Sequence, residues 1–235
     1  SFVEQKAFWN FGFTQADTIT IGNSGDWEDV IGAGSSTVNN VVFHFWFKKT
    51  EAKLQRLVEF KNSGGTPVIY VDNRADGTFE LFVDRAATDG TWNTDESLDL
   101  NKWYILTIRF SPNASTGDPA ISFRALGESS TSCTINETST PTGVFTGLAG
   151  SLYYATIGSV GSDSLKGQIS QFAVMRTNAA PSSIIDTLYD IGINGNIIKS
   201  GFTPSEDFLY YISAIQTAYG DFPKELSNHT ASLSI

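Results

Sequence analysis

Leu165-Lys166-Gly167-Gln168-Ile169-Ser170-Gln171-Phe172-Ala173-Val174, followed closely by Pro181-Ser182-Ser183-Ile184-Ile185-Asp186-Thr187-Leu188-Tyr189-Asp190-Ile191-Gly192, is the stretch that decides the fold. The first run reads as a core strand, with Ile169, Phe172 and Val174 directed toward an apolar interior. The second reads as one short helix. Pro181 suits the first helical turn, where its missing N–H costs nothing, and Gly192 supplies a stop. One short helix near the end of a strand-rich chain narrows the architecture to an all-β fold.

Composition agrees. At 235 residues the chain is long enough to bury a full core, and one β-sandwich domain of this size is ordinary. Seventeen Phe, eight Tyr and five Trp stand against two His and one Met, a balance that favours aromatic-rich strands over packed helices. The formal charge of −10 repels phosphate backbones and anionic headgroups, which excludes nucleic acid as the expected partner and leaves a soluble acidic surface that can attract cations. Cys133 is the single cysteine, so no intrachain disulfide and no thiolate-rich zinc site is expected. No apolar stretch has the length of a transmembrane helix, and membrane insertion is not expected. A chain that opens on Ser1 is expected to be processed or cut from a longer polypeptide.

Working outward from the opening stretch, apolar and polar residues alternate in short runs, the mark of antiparallel strands with one buried face. Strands are expected at Thr18–Ile21, Val41–Phe47, Leu57–Lys61, Val68–Val71, Thr78–Asp84, Tyr104–Phe110, Ala120–Ala125, Tyr153–Ile157 and Gln168–Arg176. Asp76-Gly77 marks the clearest hairpin, because a tight turn needs positive φ. Two long loops are expected, Arg85 to Leu100 with Trp92 and Gly127 to Gly150 with Cys133. Strand character resumes at Phe208–Ile212, and the last residues, Ala231 to Ile235, read as a returning edge strand or the opening of a further module.

The order of these elements carries a resemblance. Trp103-Tyr104 after a polar turn, a strand, a long loop, the Gly167-x-Ile169 strand and then Ile184-Ile185-x-x-Leu188-Tyr189-x-x-Gly192 resemble the laminin-G-like, concanavalin A-like jelly roll over about Thr18 to Gly192. The resemblance implies an antiparallel β-sandwich of two curved sheets, about six strands each, with one short helix near the C-terminal end. The β-sandwich is expected over residues 1–200, with 201–235 as an extension that packs on it or leads to a next module. Similar domains occur on phage virion proteins and on bacterial surface or secreted proteins, in adhesion, glycan binding or plain architecture. The chain departs from the family at Leu126-Gly127, where an Asn-Gly turn is common, and no carboxylate pair matches the one that binds calcium in many members.

Catalytic chemistry finds little support. Glycoside hydrolases on this sandwich carry Glu-x-Asp-x-x-Glu along one strand, and no such stretch occurs. Glu80 and Asp84 share a strand face opposite to Phe79, Leu81 and Val83, which places them toward solvent. His44 sits within an apolar strand and His229 near the chain end, neither in the setting of a nucleophilic triad. Three Asn-x-Ser/Thr sequons, at Asn113, Asn136 and Asn228, are no more than a chain this rich in Asn, Ser and Thr carries by chance.

Binding chemistry finds more. A sugar ring needs an aromatic face together with carboxylates and amides for its hydroxyls. Two segments offer the combination: Gly25-Asp26-Trp27-Glu28-Asp29 and Asp89-Gly90-Thr91-Trp92-Asn93-Thr94-Asp95. Trp92, Asp89, Asn93, Asp95 and Trp27 are therefore the expected ligand-binding residues. Asp26, Glu28 and Asp29 are a candidate Ca²⁺ set, and Asp89, Asp95 and Glu96 an alternative one. The expected function is a non-catalytic module for glycan binding or adhesion, extracellular or on a virion. The alternatives are a structural capsid-decoration or fibre domain that self-associates as a homo-oligomer with neighbouring structural proteins, and an atypical glycoside hydrolase.

Overall fold

The computed structural model describes residues 9–11, 18–21, 41–62, 64–111, 119–145, 154–158, 164–176, 180–194, 208–212 and 231–234. In chain order the strands are β1 (Trp9–Phe11), β2 (Thr18–Ile21), β3 (Val41–Lys49), β4 (Gln55–Lys61), β5 (Pro67–Asn73), β6 (Phe79–Val83), β7 (Gly90–Thr94) and β8 (Trp103–Phe110). They continue as β9 (Ala120–Ala125), β10 (Ser130–Ser132), β11 (Ile135–Ser139), β12 (Tyr154–Ile157) and β13 (Gly167–Arg176). The helix α1 (Pro181–Asn194) follows, and β14 (Phe208–Ile212) and β15 (Ala231–Ser234) close the series.

The strands form two antiparallel sheets. One has seven strands in the order β1-β13-β3-β8-β9-β10, with β14 also paired to β13; the other has eight, in the order β11-β7-β6-β5-β4-β12-β2-β15. The expected sandwich is present, with one and two more strands per sheet than the resemblance implies. Within 201–235, β14 pairs with β13 of one sheet and β15 with β2 of the other.

Alternation builds the core. From the seven-stranded sheet come Phe43, Phe45, Phe47, Leu106, Ile108, Ile169 and Phe172, and from the eight-stranded one Val58, Phe60, Ile69, Val71, Phe79, Leu81 and Trp92. The Phe rings meet across the layer and within a sheet: Phe43 lies 5.3 Å from Phe60 of the other sheet and 6.1 Å from Phe110 of its own, between ring centroids. Such pairs add about 0.5–1.5 kcal/mol to the burial of their surface. Opposite Trp46 and His44, β13 carries an extra residue between Ser170 and Ala173, with Gln171 at a φ of 50°. That bulge keeps both Ile169 and Phe172 in the core, which strict period-two alternation could not do.

Two expectations need correction. The segment from Arg85 to Leu100 is not a continuous loop, because β7 lies within it, and the Gly127 to Gly150 segment likewise holds β10 and β11. Nor does Gly192 stop the helix, which runs on to Asn194. The hairpin stands as expected: Gly77 N–H donates to Arg74 O at 3.0 Å, and Gly77 takes the positive φ of 91°. Lys49, buried at the end of β3, donates its ammonium to Arg74 O and so ties the seven-stranded sheet to this hairpin of the other.

The two outer faces of the sandwich differ. On the seven-stranded sheet, Val42, Trp46, Ile105 and Ala173 point away from the main core and would expose a large apolar patch. Helix α1 covers them with Ile185, Leu188 and Tyr189, spaced i, i+3, i+4 along one stripe. Its position is fixed by Gly127 N–H donating to the Tyr189 hydroxyl at 2.6 Å and by Arg124, which donates to Asp186 at 2.9 Å and lies 3.6 Å over the Tyr189 ring. The eight-stranded sheet turns a polar outer face, and the candidate site lies there.

Candidate binding surface

Register assembles this surface from side chains that the sequence scatters over more than eighty residues. One cross-strand row runs Arg56–Asp72–Glu80–Asn93–Asn136 over β4, β5, β6, β7 and β11. The neighbouring row runs Thr156–Glu59–Tyr70–Phe82–Thr91–Ser139 from β12 to β11. Directly opposed residues stand about 4.5–5.5 Å apart between Cβ atoms, so each row is a ladder of touching side chains.

Arg56 organises one end. Its guanidinium forks onto Asp72, Nε to Oδ1 at 2.8 Å and Nη2 to Oδ2 at 3.0 Å, while Nη1 donates to Glu59. Lys61 approaches the other Glu59 oxygen at 2.8 Å. Both carboxylates are nearly closed to water, with side-chain exposures of 2% for Glu59 and 4% for Asp72. Buried charges of this kind persist only when paired and hydrogen-bonded. Burial works against the Arg56 charge, but the hydrogen bonds and charges of Asp72 and then Glu59 more than compensate, and its pKa rises.

The aromatic part follows. Arg56 lies 3.8 Å above the Tyr70 ring, and Tyr70 stacks on Phe82 with centroids 4.6 Å apart and planes 8° from parallel. The Tyr70 hydroxyl donates to Glu80 at 3.2 Å, and Arg74 pairs with the second Glu80 oxygen. Burial, then the charges of Glu80 and Asp72, push the Tyr70 phenol upward, so it remains a neutral donor. Tyr70, Phe82, Glu80, Arg74, Thr91 and Asn93 are each half-buried and reach the surface. The result is a stacked guanidinium–phenol–phenyl ridge bordered by carboxylates, an amide and hydroxyls.

The residues expected from sequence fall differently. Trp92 is 2% exposed and belongs to the core, its ring folded over Gly90, where a Cβ would come within 2.2 Å of the ring. Its face is therefore closed to a ligand, a correction that follows from the parity of β7, in which Gly90, Trp92 and Thr94 point inward. Asn93 points the other way and joins the polar row. Its Oδ1 is buried without a protein hydrogen-bond partner. Asp95 accepts from Asn136 Nδ2 at 2.7 Å at the end of that row. Asp89 Oδ1 instead accepts from Arg85 N–H at 2.9 Å. Trp27, Asp26, Glu28 and Asp29 lie outside the described residues.

Asp89, Asp95 and Glu96 do not converge as a cation site. Glu96 is taken up by the Thr134 N–H at 2.7 Å and hydroxyl at 3.0 Å, and among the described residues no group of three or more His, Cys, Asp or Glu is placed to hold a metal ion. His44 is fully buried on the outer side of the seven-stranded sheet, where desolvation pushes its pKa down to about 3 and keeps it neutral. Burial and the charge of Glu96 push the Cys133 thiol up to about 12, which leaves it protonated. Neither group is prepared for acid–base or nucleophilic work.

Arg56, Glu59, Tyr70, Asp72 and Phe82 escape a reading based on single motifs. The usable signal is the hairpin at Asp76-Gly77: extending its register outward pairs Tyr70 with Phe82 and Asp72 with Glu80 on the solvent side.

No protein-family model matches the chain, and no curated protein matches it in sequence. Among solved structures, the heptameric SAP-like pentraxin of Limulus polyphemus is similar over 97% of this chain and 94% of its own, at 12% identity and a TM-score of 0.51. Tailspike protein 2 of the Escherichia coli O157:H7 bacteriophage CAB120 covers 75% of this chain and 24% of its own at 12% identity and 0.47. The PL-14 alginate lyase of Aplysia kurodai covers 62% and 72% at 14% identity and 0.39. The likeness to the pentraxin, which spans nearly the whole of both chains, shows the jelly-roll fold and no more than the fold.

Proposed function

We propose that the chain is a non-catalytic glycan-binding module, displayed outside a cell or on a virion, and that it binds through the outer face of β4 to β7. The observation that carries this reading is the half-exposed Tyr70–Phe82 stack with Glu80, Asn93 and Thr91 beside it. The Tyr70 faces are taken by Arg56 and Phe82, so the exposed edge of the stack offers the apolar surface for a sugar's C–H groups, and fixed carboxylate and amide groups accept its hydroxyls, while Arg56 and its carboxylate partners hold the platform rigid. Preorganisation of that kind lowers the cost of binding. Binding is favoured over hydrolysis because Glu59, Asp72 and Glu80 on this face are committed to Arg56, Lys61 and Arg74, and the only described histidine lies on the opposite sheet.

The test is a glycan array followed by isothermal titration of the bound sugar with wild type and Phe82→Ala. Loss of the platform is expected to weaken binding by about tenfold, the equivalent of roughly 1.4 kcal/mol. Unchanged affinity would remove this face from the site. A blank array combined with concentration-dependent association would favour the self-associating structural subunit. Sugar release from a polysaccharide panel, lost in Glu80→Gln, would favour the glycosidase.

A further inference from the structure

The charge pattern of the same face sets which glycans it accepts, an inference that rests on the glycan-binding reading above. Arg56 is held by Asp72 and Glu59, Lys61 by Glu59, and Arg74 by Glu80. Among the described residues of this surface, three cations therefore meet three carboxylates. Asp95, exposed at the end of the row, adds negative charge, and the whole chain stands at −10.

A glycan bearing a carboxylate or sulfate would have to draw one of these cations from its partner or tolerate like-charge contact. Drawing Arg56 away would break its ion pairs with Glu59 and Asp72, which are almost fully buried, so the protein itself opposes that exchange. A neutral glycan meets no such penalty. Glu80 accepts from Tyr70 and Arg74, yet a carboxylate has about four lone-pair sites, which leaves room for a sugar hydroxyl. We propose that this face selects neutral oligosaccharides over uronic-acid, sialylated or sulfated ones.

The test titrates the 235-residue chain with β-1,4-linked tetramers of glucose, mannose and galactose and with the corresponding uronate tetramers, each pair differing only at C6. For any pair that binds, the neutral member is expected to bind about tenfold tighter or more at low salt, with the gap closing as ionic strength rises. Glu80→Gln removes the partner of Arg74 and is expected to narrow that ratio severalfold. Equal or tighter uronate binding would overturn the selectivity and leave glycan binding standing. An unchanged ratio in Glu80→Gln would overturn the assigned cause. Failure of all six tetramers to bind, together with a blank glycan array, would overturn the glycan reading itself and this inference with it.

Discussion

Arg56 holds two buried carboxylates in place, so its removal is expected to act on stability before it acts on binding. Arg56→Leu takes from Glu59 and Asp72 the guanidinium that pairs with both, and breaking a buried pair in this way costs about 3–5 kcal/mol. Urea denaturation should read that loss as a lower midpoint with an unchanged slope. His44 provides the pH dependence. Its folded pKa of about 3 lies below the ordinary 6.5, so between those values the unfolded chain binds a proton that the folded chain does not. Stability is therefore expected to be complete above about 6.5 and to fall as pH drops toward about 3. His44→Gln should flatten that slope by comparison with wild type; parallel curves for the two proteins would show that His44 does not cause it.

At the scale of elements, the hairpin and the helix make separate predictions. A Cβ at Gly77 would stand 2.3 Å from the carbonyl oxygen of Leu98, at a φ of 91° that only glycine adopts without strain. Gly77→Ala is expected to cost about 1–3 kcal/mol from backbone strain alone, measured by thermal unfolding. Leu188 is fully buried between α1 and the seven-stranded sheet, and Leu188→Ala should cost about 2–5 kcal/mol. Elements with a clear apolar pattern were legible in the chain: β2 and β9, which alternate, and β14, a continuous apolar and aromatic run, occur at the expected boundaries, and Glu80 faces outward as its parity requires. β7 was not, because Gly, Asn and Thr around Trp92 read as loop, while tertiary packing of the indole over Gly90 makes the segment a strand. The candidate site was harder still. Its members come from four hairpin-linked strands and meet only through register, which no linear motif records.

For the whole molecule, the division of labour between its two outer faces follows from patterning. Apolar residues on the outer side of β3, β8 and β13 require a cover, which α1 supplies, whereas the outer side of β4 to β7 carries charge, hydroxyl and amide groups that remain compatible with water. The jelly-roll fold is common to binding proteins and enzymes alike, so function must be argued from this face and not from the fold. The most direct measurement is a map of backbone amide chemical shifts as a glycan identified on the array is titrated in. The shifts are expected to concentrate on β5, β6 and β7 around Tyr70, Glu80, Phe82, Thr91 and Asn93, and to need about tenfold more glycan to develop in Phe82→Ala. Shifts centred on α1 and the seven-stranded sheet, with β5 to β7 unmoved, would contradict that expectation.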